Sequence, residues 1–338
     1  MGMGRSILLL GCMLFALSPL TAVAANAVHK AKAISAKGHV KSASKRVYSH
    51  RILSTLRASK RYRMQTVSYD RNESIFQGEE GGSLRLESSK ALILNQDTGE
   101  VLYAKSTDVP TPIASVTKLM TAMVMLDAHL PMDEPITVSE SDIDMLKGTG
   151  SRLRVDSTLT RAELLQLALM SSENRAAAAL ARTTYPQGVA AFVVAMNRKA
   201  AELGMTRSHF ADGTGLNSEN VSTAEDLAKM VKAAYQYPEI RQVTTTASYD
   251  VPVHGLRRPV EFRNTNVLVR NSTWDIGLSK TGYISESGRC LVMQAQIAGQ
   301  PLIIVLLDSW GKYSRIGDAQ RIKKWIESST GDSRRRTS

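Results

Sequence analysis

The pattern of apolar and polar positions places the ordered elements well inside the chain. Ala91 to Leu94 and Val101 to Ala104 are short apolar runs on either side of Asp97-Thr98-Gly99, which predicts a β-hairpin closed by a polar turn. Pro110 and Pro112 lead into Ser115 to Leu126, an apolar pattern rich in helix formers. Thr160-Arg-Ala-Glu163 reads as a capping box opening a helix over Ala162 to Met170, and Gly188 to Leu203 carries Ala, Met and Val at helical spacing. Ser222-Thr-Ala-Glu225 reads as a second capping box, ahead of a helix from Asp226 to Tyr235. After Tyr237 the period shortens. Arg263 to Val269 and Ile276 to Thr281 are strand-like, and Cys290 to Ile297 and Leu302 to Leu307 form a hairpin around Gly299, Gln300 and Pro301. Asp318 to Ser328 predicts a closing helix with Ile322, Trp325 and Ile326 inward.

Hairpin, helical block, three strands, helix: this order predicts an α+β fold. Its antiparallel sheet draws strands from both ends of the body, is flanked by helices, and is interrupted by a mostly helical insertion. No segment repeats at a period of 20 to 50 residues, which argues against a solenoid. The chain contains neither GxGxxG nor a glycine-rich phosphate loop.

Charge changes the picture at one place. The 338 residues hold 43 Lys and Arg against 31 Asp and Glu, a net +12. Residues 25–63 carry eleven of the bases and no acid, and from residue 64 onward bases and acids number 31 each. A basic tail on a neutral body is not a basic folded domain. Ahead of the tail, Arg5, the apolar run Ile7 to Leu20 and the small-x-small exit Ala22-Val23-Ala24 read as an export signal cleaved near Ala24, too short to span a bilayer. Leu9-Leu10-Gly11-Cys12 resembles a lipoprotein box, but the apolar run continues past it. Cleavage near Ala24 removes Cys12 and leaves Cys290 alone, so no internal disulfide is expected. The tail has too few large apolar side chains to offset its ordering entropy; it reads as a disordered tether or as an electrostatic contact with an anionic envelope surface. An exported chain does not meet DNA, so no nucleic-acid partner is expected. The expected organisation is a signal over 1–24, a basic tail over 25–63, a linker over 64–85, one folded domain over 86–328 and a flexible end over 329–338.

Candidate chemistry starts at Ser115-Val-Thr-Lys118. Three residues apart on a helix, two side chains share a face with about 4.5 Å of rise between them, so the amine can reach the hydroxyl. A free lysine titrates near 10.4 and serves as a base only if its surroundings lower that value. The spacing recurs at Ser42/Lys45 and Ser309/Lys312, so context selects Ser115: it follows a hairpin and opens an amphipathic helix. Ser172-Glu173-Asn174 sits where a buried helix breaks and could present a hydroxyl and an amide to a cleft; Ser218-Glu219-Asn220 has the same letters in a polar loop. Lys280-Thr281-Gly282 occurs once, on a strand-like run, where Lys280 and Thr281 could bind a carboxylate and Gly282 could let a substrate backbone approach. His29, His39 and His50 lie in the tail, and His129, His209 and His254 show no metal-ligand spacing. No metal or cofactor is expected, and GxSxG is absent.

The three elements in this order match the serine–lysine pattern of penicillin-binding proteins and β-lactamases. From Leu86 to Ser328 the chain resembles the low-molecular-mass penicillin-binding proteins, D-alanyl-D-alanine carboxypeptidases and endopeptidases, and within them the soluble endopeptidase branch. Ile113-Ala-Ser-Val-Thr-Lys-Leu-Met-Thr121, Ser171-Ser-Glu-Asn-Arg-Ala-Ala177, Lys280-Thr-Gly-Tyr283 and Gly288-Arg-Cys-Leu-Val292 carry the likeness. The resemblance implies a transpeptidase-like fold and assigns Ser115 as nucleophile, Lys118 as its base and Ser172 as proton relay to the leaving amine. It makes Asn174, Lys280, Thr281 and Gly282 substrate-binding, and the backbone N–H groups of Ser115 and Tyr283 an oxyanion hole. Glu173 stands where the family often has Asp.

That resemblance implies a penicillin-sensitive serine endopeptidase of the periplasm that cuts D-alanyl–diaminopimelyl cross-links in peptidoglycan, with β-lactams as covalent inhibitors. The expectation is strengthened by a chain that stops soon after its closing helix; Arg334 to Ser338 has no apolar face to act as a membrane anchor. A carboxypeptidase of the same fold is the nearest alternative. A β-lactamase lacks an assignable deacylating glutamate, and a catalytically silent wall-binding protein would have no reason to keep all three elements.

Overall fold

A computed structural model describes residues 84–336 of the chain. The export signal, the basic tail and most of the linker lie outside the described residues. Strands β1 (Ser88–Asn95) and β2 (Val101–Lys105) form the expected hairpin, with the Asn95 side chain accepting from the backbone of Asp97 and Thr98 in its turn. The insertion follows: β3 (Thr111–Pro112), α1 (Thr117–Asp127), β4 (Pro135–Thr137), β5 (Thr158–Thr160), α2 (Arg161–Met170), α3 (Asn174–Thr184), α4 (Val189–Glu202), β6 (Val221–Ser222), α5 (Ala224–Ala234) and α6 (Pro238–Thr245). A small hairpin, β7 (Ser248–Val251) with β8 (Val260–Arg263), precedes β9 (Asp275–Ile284), β10 (Gly288–Ile297), β11 (Gln300–Ser309) and α7 (Ser314–Arg336). The main sheet is antiparallel in the order β2-β1-β11-β10-β9, so strands from both ends of the folded body meet at β1 and β11.

The sheet is covered on both faces, and the side-chain period of two sorts its residues. Along β11, Leu302, Ile304 and Leu306 enter the core shared with Ala319, Ile322 and Ile326 of α7, while Ile303, Val305 and Leu307 enter the core of the helical insertion. This double burial is why the strand reads as one continuous apolar run. Each such side chain contributes about 1.5–3 kcal/mol relative to exposure. Within the insertion α1 packs against α2, α3, α4 and α5, and every residue from Thr117 to Met125 is buried.

Three local expectations change. The cap of α5 is Thr223, whose side chain accepts from Asp226 N–H, because Ser222 is held in extended pairing with Thr111. The strand expected over Arg263 to Val269 ends at Arg263. Beyond it Asn264 accepts from Asn266 N–H and Asn266 from Leu268 N–H, bending the backbone into a 3-10 turn over Val267–Arg270. Helix α3 was not marked by the apolar pattern: its buried face is Ala176, Ala177, Ala179, Leu180 and Ala181, and alanine supplies little contrast.

The two ends of the body are locked by Asp318 on α7. It is fully buried and accepts from Glu87 N–H, Ser88 N–H and the Ser88 hydroxyl at 2.9, 2.8 and 2.6 Å. Asp318→Ala removes the acceptor of these three donors and of the Arg321 guanidinium, and a loss of about 3 kcal/mol in urea unfolding is expected; a change below about 1 kcal/mol would show that this lock contributes little.

Candidate active site

The nucleophile candidate stands on a strained turn. Ala114 adopts φ +47 just before Ser115, in the left-handed region that costs about 1–2 kcal/mol for an L-residue, and Ala114–Val116 form one 3-10 turn leading into α1. Two glycines clamp this turn. A Cβ on Gly215 would lie 2.0 Å from the Ala114 carbonyl oxygen, and one on Gly282 would lie 2.8 Å from that of Ile113 and 3.2 Å from Ser115 N. The open side of Gly282 thus receives the nucleophile's own turn. This corrects the expectation that its missing side chain makes room for a substrate backbone: the close approach is between strand β9 and residues 113–115.

Lys118 is the second residue of α1, one turn past Ser115, and is wholly buried because α1 is covered on all sides. Its Nζ is 2.8 Å from Ser115 Oγ, 2.8 Å from Asn174 Oδ1 and 2.6 Å from the Thr214 carbonyl oxygen. Burial pulls its pKa from 10.5 down to about 7, against the opposing pull of Asp212, Glu173 and Asp144. A neutral amine has two N–H groups and one lone pair. Two partners, Asn174 Oδ1 and Thr214 O, can only accept and therefore take the N–H groups. The lone pair is left for the Ser115 hydroxyl, the arrangement a general base requires.

The Ser-Glu-Asn element sits in the break between α2 and α3. Ser171 caps the end of α2, Ser172 turns left-handed at φ +61, and the Glu173 side chain caps α3 by accepting from Arg175 N–H. The break swings Asn174 toward Lys118 and Ser172 toward the sheet edge, where Lys280 Nζ lies 2.9 Å from Ser172 Oγ. Ser172 therefore meets Lys280 directly. Lys280 is buried on edge strand β9, and its other hydrogen bond goes to the Thr281 carbonyl. Burial first, then the nearby Lys118 and Arg315, hold its pKa well below 10.5. The Thr281 hydroxyl donates to Thr265 Oγ1 at 2.6 Å, and Arg315 Nη1 donates to the Gly282 carbonyl at 3.1 Å. The Tyr283 side chain is exposed, next along the edge strand, with the Arg289 guanidinium stacked 4.4 Å from its ring centroid. Among the described residues no group of three His, Cys, Asp or Glu could hold a metal. No described helix is long and apolar enough to cross a membrane.

Ser115, Lys118 and Asn174 are thus joined by hydrogen bonds, Ser172 is joined to Lys280, and Gly282 packs against the Ser115 turn. Residues 77–311 match the model of the S11 serine peptidase family, described as D-alanyl-D-alanine carboxypeptidase. The chain belongs to this family. It is 48% identical over 242 residues to a D-alanyl-D-alanine endopeptidase of Pseudomonas aeruginosa, covering 72% of this chain and 78% of that one. It is 47% identical over 246 residues to a D-alanyl-D-alanine endopeptidase of Escherichia coli K12, with the same coverage. Among solved structures it is similar to the Streptomyces K15 DD-transpeptidase, with TM-score 0.66 and 30% identity over 71% of this chain and 97% of that one.

Within this S11 peptidase the rival triplet Ser218-Glu219-Asn220 finds a structural role. Asn220 is fully buried, and its Oδ1 accepts from Ala211 and Asp212 N–H. Asp212 in turn accepts from Thr214, Gly215 and Asn217 N–H and from Asn220 Nδ2. This knot fixes the Thr214 carbonyl that Lys118 uses. Sequence reasoning missed Thr214 because its contribution is a backbone oxygen, which no side-chain motif records. Thr149, Thr265 and Arg315 were missed because only the tertiary fold brings them near. The spare pair Ser309/Lys312 is explained too: Ser309 lies in β11, with its hydroxyl 2.7 Å from that of Ser88.

Gly282→Ala tests the clamp. The added methyl must push β9 away from the 113–115 turn, so penicillin acylation should slow by more than about tenfold while circular dichroism stays native; an unchanged rate would remove the clamp from the account.

Proposed function

We propose that this chain is a penicillin-sensitive serine DD-endopeptidase that hydrolyses D-alanyl–diaminopimelyl cross-links in peptidoglycan through an acyl-enzyme on Ser115. The single observation that carries the reading is the buried Lys118 amine at 2.8 Å from Ser115 Oγ, with two acceptors holding its N–H groups. Lys118 takes the Ser115 proton as the oxygen attacks the D-alanyl carbonyl. The charge that develops on the carbonyl oxygen is received by the backbone N–H groups of Ser115 and Tyr283. Ser172 passes a proton to the departing amine, the acyl-enzyme forms, and water then releases it. Asn174 holds Lys118 and the substrate amide. Lys280 and Thr281 would receive a substrate carboxylate, which would add a counter-charge to an amine whose hydrogen bonds go to the neutral oxygens of Ser172 and Thr281. The substrate places the reaction in the periplasm, which the export signal read over residues 1–24 supports. The names of the most similar relatives favour cross-link cleavage over release of terminal D-alanine.

Intact-mass analysis after penicillin treatment, with peptide mapping, should find one adduct on Ser115 and none in Ser115→Ala. Lys118→Met should slow acylation by about a thousandfold. Because the reactive amine is the unprotonated one, the acylation rate should be half-maximal near the Lys118 pKa of about 7, level off about one unit above it and fall about tenfold per unit well below it. A pH-independent rate, or an adduct elsewhere, would overturn the assignment.

Digestion of purified muropeptides separates the two peptidase activities. Loss of cross-linked dimers is expected; release of free D-alanine from monomeric pentapeptides without loss of dimers would make the chain a carboxypeptidase.

A further inference from the structure

Asn174 can support Lys118 as a base only if its amide faces the right way. With Oδ1 toward the lysine, the amide accepts an N–H and leaves the lone pair for Ser115. With Nδ2 toward the lysine, the lone pair is spent on the amide, and an N–H points at Ser115 instead. The second arrangement has the wrong polarity for removing the serine proton. Asn174 by itself carries no preference strong enough to guarantee the first.

The surroundings supply one. Asn174 Nδ2 is 3.0 Å from Thr149 Oγ1, and Thr149 Oγ1 is 2.7 Å from Asp144 Oδ2. Asp144 also accepts from the backbone N–H groups of Leu146, Lys147 and Thr149 at 2.8, 2.9 and 2.8 Å. Its partial burial works to raise its pKa, but these hydrogen bonds outweigh that and hold the carboxyl below its ordinary value. Ionised, it can only accept. The single Thr149 proton is therefore drawn to Asp144 in a short charge-assisted bond, and the Thr149 oxygen is left as an acceptor facing Asn174. An acceptor at that position requires Nδ2 there and Oδ1 at Lys118.

We propose that Asp144, acting through Thr149, sets the orientation of the Asn174 amide and thereby reserves the Lys118 lone pair for Ser115. Asp144 and Thr149 are positioning residues; neither touches the reacting atoms. The inference rests on the reading of Ser115 and Lys118 as nucleophile and base. The 144–149 segment belongs to the helical insertion and is linked to the β9–β10 turn by the ion pair of Lys147 with Glu286.

The test is the pH profile of Ser115 acylation by penicillin in the full chain, measured for wild type, Asp144→Asn, Thr149→Val, Thr149→Ser and Lys147→Ala. Lys118 faces the charges of Asp212, Glu173 and Asp144, and of Lys280 across the cleft. Removing the Asp144 charge takes away one group that raises the lysine pKa. Asp144→Asn should therefore lower the high-pH plateau about tenfold and move the midpoint to lower pH. Thr149→Val keeps the charge and loses the acceptor, so its plateau should fall to a similar extent with the midpoint unmoved; Thr149→Ser should restore the wild-type plateau. Lys147→Ala loosens the segment without altering the polarity of the chain and should keep the wild-type plateau. Wild-type plateaus in Asp144→Asn and Thr149→Val would overturn the proposal, as would a Lys147→Ala loss equal to that of Thr149→Val. If the wild-type chain forms no adduct on Ser115, the nucleophile assignment itself fails, which is a different result from an adduct that forms at equal rates in all variants.

Discussion

The structure depends on a lysine placed where a charged lysine is costly. Lys118 is fully buried near the start of α1, and its amine meets three oxygen atoms with no carboxylate among them. Burial of a lone ammonium carries a penalty of several kcal/mol, and the pKa lowered to about 7 is how that penalty is expressed: charged and neutral amine coexist near neutral pH. An amine able to lose its proton near neutral pH is therefore a product of packing. The three distant acids, Asp212, Glu173 and Asp144, keep the value from falling further.

Everything around the amine holds its partners still. Thr214 O is fixed by the Asp212–Asn220 knot, Asn174 by the break between α2 and α3, and Ser115 by the turn that Gly215 and Gly282 clamp. Two of the seven non-glycine residues with left-handed backbone among the described residues lie here. Ala114 and Ser172 both adopt left-handed backbone, at a cost of about 1–2 kcal/mol each, and both precede functional side chains by one or two residues. The surrounding double-faced sheet and the buried α1 over-determine these positions, which is the condition under which such strain persists.

A second cation, Lys280, faces the same cleft from the other wall. Its hydrogen bonds go to neutral oxygens, and Lys118 and Arg315 lie close enough to disfavour its charge. The hydrogen bonds of both lysine amines thus go to neutral oxygens. This electrostatic character arises from the meeting of an edge strand with a helical insertion and is a property of neither part alone.

Much of this could be read in the linear chain. The periods of two and of three to four residues, the Thr160–Glu163 capping box and the order of elements yield the α+β architecture, because burial on one or both faces imposes those periods on any sequence that folds this way. Ser115 and Lys118 could be paired because a helix converts a spacing of three into a shared face. Beyond that range the chain is silent. Whether Lys118 is neutral depends on desolvation by α2 to α5; which of two Ser-Glu-Asn triplets reaches the site depends on where each helix ends in space; and Gly282 proved to accommodate the 113–115 turn, a contact between segments about 170 residues apart. Spacing along a chain encodes local geometry, whereas burial, backbone carbonyl partners and the direction of a hydrogen bond exist only once remote segments have packed together.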